Sequence, residues 1–119
     1  MCHCDPYIPD HKYIDSIAKR GAYISFDFFG LDIPLGTPIP TTDNDRIFAI
    51  TEQIKRGNVN KILMSHDVAY KIMLRRFGGL GYAHIVERIL PQLKSIGCQT
   101  EWIEQITKKN PQKFFSMVR

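Results

Sequence analysis

Cysteine is scarce, with Cys2, Cys4 and Cys98 the three in 119 residues. An odd number this sparse builds no disulfide framework and fits a reducing compartment. Long apolar runs are also missing. Nothing approaches the roughly 18 residues a membrane span needs, and no charged-then-apolar leader precedes residue 20. A cytoplasmic protein with no membrane partner is expected. The net charge of +4 is only a modest excess of one sign. Arg75, Arg76, Lys108, Lys109, Lys113 and Arg119 fall in the second half, but on the polar faces of expected helices, without interleaved aromatics or a nucleic-acid motif. No nucleic-acid partner is expected. At 119 residues the chain holds one domain and not two of ordinary size.

The most informative stretch is Lys61 to Asp67, KILMSHD. Ile62, Leu63 and Met64 form a short apolar run, as in a parallel strand covered on both faces, and it ends abruptly in Ser65, His66 and Asp67. In α/β folds chemistry collects at the carboxyl ends of such strands.

Around this strand the rest falls into order. Residues 1–9 present Cys2, His3, Cys4 and Asp5 together, as the end of a strand without its body. A helix is expected from about Asp10, its cap, to Arg20, with Tyr13, Ile14, Ile17 and Ala18 as the apolar stripe and Gly21 as the stop. Residues 22–28 alternate, Ile24, Phe26 and Phe28 against Tyr23, Ser25 and Asp27, and read as a strand that also ends in a carboxylate. From 29 to 41 three prolines and two glycines enforce a long loop. Thr42 and Asp45 form a capping box with Asp in place of Glu. Ile47, Ile50 and Ile54 should be the buried stripe of that helix, and Gly57 its end.

After Asp67, residues 68–76 suit a short helix or ordered loop, and FGGLG at 77–81 a flexible one. Residues 82–96 read as a helix with Ile85, Ile89, Leu93 and Ile96 inward and a kink or break at Pro91. Thr100 should cap a short helix carrying Trp102, Ile103 and Ile106. Asn110-Pro111 starts a terminal turn expected to bury Phe114 and Phe115.

This βα alternation implies a parallel sheet with crossover helices, and right-handed crossovers place the strand ends near His3, Asp27 and Asp67 on one rim. Two strands and a stub do not close a sheet. A (β/α)8 barrel takes about 250 residues. The fold expected for 1–119 is therefore a single partial domain, α/β, the carboxyl-terminal part of an incomplete TIM (β/α)8 barrel. A small self-contained three-layer domain is the alternative.

The segments MCHCDPYIPDHKYIDSIAKRGAYISFDFFG, TDNDRIFAITEQIKRGNVNKILMSHD, FGGLGYAHIVERILPQL and ITKKNPQKFF span nearly the whole chain. The chain resembles, through them, the carboxyl-terminal portion of the phosphotriesterase family, metal-dependent amidohydrolase-type barrels, and within it the phosphotriesterase-related proteins. The SHD strand end, the GGxGYxHI stretch and NPxxFF are the specific parts. The resemblance implies that the chain runs from the end of strand six through strand eight and the terminal helices. It implies a hydrolase of phosphoester, lactone or amide-like bonds, with a two-metal centre, usually Zn2+ with other divalent metals allowed, and a small-molecule substrate. By the same resemblance His3 and Asp67 are metal ligands, and Asp67 also takes a proton from the metal-activated water. The family's remaining ligands have no counterpart here, so the chain alone is expected to be inactive or nearly so. The alternative is a non-catalytic truncated chain, partner-binding or vestigial, using exposed strand edges. A homodimer that completes the site is a further option.

Plainer roles compete with these. Asp67 could cap a following helix, and His3 could be a loose residue near a free amino terminus. Cys2 and Cys4 around His3 suggest a soft-metal cluster but lack the second half of a structural zinc site. Asp27 would orient substrate or bond the following loop. His66 should face away from its neighbour's site, with support of a ligand as the functional option. Tyr82 and His84 are expected to cap and pack the next helix, without a catalytic role.

Overall fold

The computed structural model describes residues 1–31 and 41–116. Most of the expected 29–41 loop, residues 32–40, lies outside them. Helix α1 (His11–Lys19) begins where Asp10 Oδ1 accepts the Tyr13 N–H at 2.9 Å, and it buries Ile14 and Ala18. Strand β1 (Ile24–Phe26) follows, shorter than the expected 22–28 and buried throughout. Helix α2 (Asp43–Lys55) opens on the Thr42–Asp45 capping box. The Thr42 N–H donates to Asp45 Oδ2 at 2.8 Å, and the Asp45 N–H returns to Thr42 Oγ1 at 3.3 Å.

Strand β2 (Ile62–Met64) pairs parallel with β1, Ile24 opposite Ile62 and Phe26 opposite Met64. On the far side of β1 the amino-terminal segment runs alongside. The Met1 amino group donates to Tyr23 O, Ser25 N–H to Met1 O at 3.0 Å, and Cys4 N–H to Ser25 O at 2.9 Å. The stub expected at the front of the chain thus bonds along β1, although it forms no strand of the two-stranded sheet, whose order is β1-β2.

The helical second half uses one device twice. A π-helical turn (Ile85–Ile89) runs into α3 (Leu90–Ser95), and after α4 (Thr100–Glu104) a second π turn (Gln105–Lys109) runs into α5 (Asn110–Phe115). Pro91 and Pro111 each sit at the second residue of the helix that follows. Proline has no N–H for the ladder and crowds the preceding carbonyls, and widening the turn before it relieves both. The break expected at Pro91 takes this form.

Several expected contacts differ. Gln99, not Thr100, holds the N-cap of α4, and no side chain caps it. Ile96 and Tyr13 are exposed, because each lies at the margin of its helix's buried face. Phe114 and Phe115 are also exposed, the latter at 75%. They stand at the mouth of a cleft of about 280 Å³ lined by Ser25, Asp27, Leu63 and Ser65. That cleft lies on a face of the sheet that no layer covers among the described residues, and there Phe114 meets Tyr23 and Phe115 edge-on. At the outer edge of β2, Asn110 Nδ2 donates to Ile62 O at 2.8 Å and so blocks one acceptor of an otherwise open strand edge. Among the described residues no helix is long and apolar enough to cross a membrane.

Candidate active site at the strand ends

His3 lies on the stub beside β1, and the hydrogen-bond register shows why its backbone is unusual. In a regular parallel ladder the residue two beyond Met1 would take the Ser25 carbonyl; here Cys4 takes it, and His3 is the extra residue of a bulge. Its φ is 54°, in the left-handed region. The displaced His3 N–H is collected by the Asp27 carboxylate, at 3.0 Å to Oδ2 and 3.2 Å to Oδ1. The same carboxylate accepts from His3 Nδ1 at 2.9 Å, and Phe28 stacks on the ring at 4.8 Å between centroids. With Nδ1 carrying the proton toward Asp27, Nε2 is left with its lone pair. His3 is held on three sides rather than loose. Among the described residues the Asp27 carboxylate orients His3, a role beyond the two weighed for it.

Asp67 lies beyond the carboxyl end of β2, exposed and with a φ of 44°. Its carboxylate has no hydrogen-bond partner among the described residues. It caps no helix, because the next helical turn (Lys71–Met73) starts from Tyr70. The helix-cap alternative for Asp67 is thereby removed. Between the two sits β1, so His3 and Asp67 occupy strand ends on either side of Asp27. Among the described residues no three His, Cys, Asp or Glu side chains converge as a metal cage.

The neighbouring cysteines and histidines divide by burial. Cys2 is exposed, whereas Cys4 is buried, its thiol pushed up to about 11 by loss of solvent. A protonated core thiol is a poor ligand, so Cys2, His3 and Cys4 do not act as a cluster. His66 Nε2 accepts the Ile85 N–H at 3.0 Å and so ties the strand end to the first turn of the next helix. Burial, reinforced by the nearby His84, holds its imidazole below the usual range. His84 is itself buried, and its Nε2 donates to Asp43 Oδ2 at 2.6 Å. Its Nδ1 is buried without a partner.

A buried arginine that the sequence pattern did not single out stands behind these residues. Arg46, 1% exposed, donates from Nε to Asp5 Oδ1 at 2.7 Å and from Nη1 to Asp43 Oδ1 at 2.9 Å. Its Nη2 donates to Leu31 O at 2.8 Å and Thr41 O at 3.0 Å, the residues flanking 32–40. Asp5 is fully buried, and burial pushes its carboxyl up against the opposing pull of the guanidinium. A signal existed: Arg46, Ile50, Gln53 and Ile54 share one helical face, so a charge stood on the apolar stripe.

The segment 77–81, expected as a flexible loop, is more ordered than its FGGLG composition suggested. Gly79 N–H donates to Leu74 O at 3.1 Å and Gly81 N–H to Met73 O at 2.9 Å. A Cβ on Gly79 would lie 2.2 Å from the Met73 carbonyl carbon, so this glycine permits close backbone approach rather than mobility. The wider segment 68–81 carries Tyr70, Ile72 and Phe77 exposed.

With this geometry established, relatives are informative. Residues 1–115 match the phosphotriesterase family. The chain is 37% identical over 121 residues to the phosphotriesterase-related protein of Aedes aegypti, a match covering 98% of this chain and 34% of that one. It is 31% identical over 120 residues to the N-acetyltaurine hydrolase of Tetraodon nigroviridis, again 98% of this chain and 34% of the relative. The resiniferatoxin-binding protein from Rhodobacter sphaeroides superposes with a TM-score of 0.91 at 34% identity, over 97% of this chain and 33% of that one. The solved structures of this kind are phosphotriesterase-type TIM barrels, and the chain spans about a third of the length of the relatives it matches.

Proposed function

The chain belongs to the phosphotriesterase family, and on that footing we propose that it is the carboxyl-terminal part of a zinc-dependent hydrolase barrel, from the end of strand six through strand eight and the terminal helices. The bonds cleaved are phosphoester, lactone or amide-like ones in a small molecule. The relative named as an N-acetyltaurine hydrolase favours the amide-like class. A cytoplasmic location fits the sparse cysteines.

One observation carries the reading. Asp27 holds His3 Nδ1, which directs the Nε2 lone pair outward as a metal-ligating imidazole requires. Asp67 contributes a carboxylate that no group among the described residues bonds. These donor types fit a zinc ion, but two donors do not fill its four positions, so further ligands must come from outside the described residues. When bound, such a metal supplies water that ionises near neutral pH and polarises the scissile carbonyl or phosphoryl group. Asp67 would take the proton from the attacking water with its free oxygen. The exposed side chains of 68–81 would line the path of the leaving group.

By itself the 119-residue chain is expected to hold little metal and to be inactive or nearly so. A second reading, a non-catalytic chain that binds a partner or a second copy along its sheet, is favoured by the uncovered cleft between Ser25 and Phe115.

Elemental analysis of dialysed protein, with Asp67→Ala in parallel, tests both. Tightly bound zinc that disappears in the variant supports the two ligands and shows that the site assembles, across a homodimer if the chain is found to self-associate. Little metal in either protein supports a partial site. Bound zinc indifferent to Asp67→Ala would reject Asp67 as a ligand.

A further inference from the structure

The polar groups behind the sheet form one path. It runs from His3 to Asp27 through Nδ1 at 2.9 Å, and from the Asp27 N–H to Asp5 Oδ2 at 3.2 Å. The other Asp5 oxygen meets Arg46 Nε at 2.7 Å, Arg46 Nη1 meets Asp43 at 2.9 Å, and the other Asp43 oxygen meets His84 Nε2 at 2.6 Å. The His84 ring lies 6.4 Å from that of His66, the residue before Asp67. Asp5 and Asp43 each give one oxygen to Arg46 and the other to the next link, and Asp27 joins the path by its backbone N–H on one side and its carboxylate on the other, so displacing one link changes what the next can accept.

We infer that Arg46 is a positioning residue for both ends of the candidate site, holding the His3 ring through Asp5 and Asp27, and the His84 ring beside His66 through Asp43. The inference rests on the hydrolase reading only in calling His3 a ligand. A planar guanidinium suits this role because its donors leave in fixed, divergent directions. Here they reach a residue just past the amino-terminal stub, the first turn of α2 and both residues flanking 32–40. A lysine ammonium at the same place keeps the charge but cannot reach all of these at once.

The path predicts an asymmetric response, readable without metal or substrate from imidazole 15N chemical shifts at a fixed pH near 8. In the native chain His3 should populate the Nδ1–H tautomer and His84 the Nε2–H tautomer. Arg46→Lys should disturb both histidines. Asp5→Asn, whose amide cannot accept the Asp27 N–H on its nitrogen, should move His3 toward the tautomer mixture of a free imidazole and leave His84 unchanged. Gln53→Met, a buried polar change on the same helix but off the path, controls for lost stability and should move neither.

Unchanged His3 signals in both path variants, or an equal disturbance in Gln53→Met, would overturn the inference. So would unfolding of both Arg46→Lys and Asp5→Asn, which would make the network a support of the fold alone. Bound zinc indifferent to Asp67→Ala would count against the ligand assignment of the hydrolase reading while leaving this result intact.

Discussion

His3 and Asp67 share a backbone state that no other described non-glycine residue adopts, with φ of 54° and 44°. The left-handed region costs an L-residue roughly 1–2 kcal/mol, less for Asp and His, and such residues cluster where function overrides local preference. They are also the two positions that family resemblance names as ligands. The compensation differs. Asp27 takes up the His3 N–H and ring, whereas nothing among the described residues bonds the Asp67 carboxylate.

That difference gives the first prediction. Asp67→Gly removes a strained, unpartnered side chain and should stabilise the chain by about 0.5–1 kcal/mol, the lower unfolded-state order of glycine offsetting part of the gain. His3→Gly should not stabilise, because it discards the ring's bond to Asp27 and its stacking on Phe28, keeping only the backbone N–H bonds. Urea midpoints of the two variants against the native chain decide this. Destabilisation by Asp67→Gly would mean that the carboxylate supports the fold.

Arg46 yields the second. Arg46→Met leaves Asp5 and Asp43 facing a methyl group in a buried setting. Breaking a buried pair from one side costs about 3–5 kcal/mol, a large share of the roughly 5–15 kcal/mol that holds a domain together. The Asp5 and Asp43 carboxylates both bond this one guanidinium, and their mutual repulsion adds to the loss once it is gone. Denaturant unfolding of Arg46→Met should show a loss several times that of an exposed arginine such as Arg76. A loss under about 1 kcal/mol would mean the cluster is relieved by water entry.

How far the sequence was legible follows from what each feature depends on. The Thr42–Asp45 cap, the α2 stripe and the parallel pairing rest on local spacing or on a handedness rule, and all were readable. Phe114 and Phe115 were not, because their burial depends on a layer opposite the cleft, and apolarity alone does not reveal whether that layer is there. Arg46 was passed over because a charge on a helix is ordinarily solvated; its partners lie 41 residues upstream at Asp5 and at the start of its own helix. The tie between Asp27 and His3 likewise needed the bulge, which no sequence pattern announces.

Cys4 gives a pH dependence with a definite sign. Its thiol is pushed from 9.0 to about 11 by burial. In the unfolded chain the thiol ionises at the lower value, so the stability that Cys4 contributes is fully present below about pH 9 and falls as pH rises to about 11. The expected slope is about 1.4 kcal/mol per pH unit within that window. Cys4→Ala should lose packing at neutral pH yet lack this added slope, while the other alkaline titrations remain common to both chains. Parallel unfolding curves of the two proteins from pH 8 to 11 would count against a buried, protonated Cys4.

Asp27 allows the support of the ligand to be separated from the ligand itself. Asp27→Asn is nearly isosteric and can still accept the His3 N–H through its carbonyl oxygen, so the bulge should survive. It loses the charge that fixes the Nδ1–H tautomer and raises the basicity of Nε2. Losing such a partner typically weakens metal binding about 10–100-fold. Competition with a chromogenic chelator, in the chain or in whatever assembly supplies the remaining ligands, should show that loss for Asp27→Asn and a greater one for His3→Ala. The order of the two is the decisive result. A larger effect from Asp27→Asn than from His3→Ala would make Asp27 the ligand and His3 its support, reversing the roles assigned here.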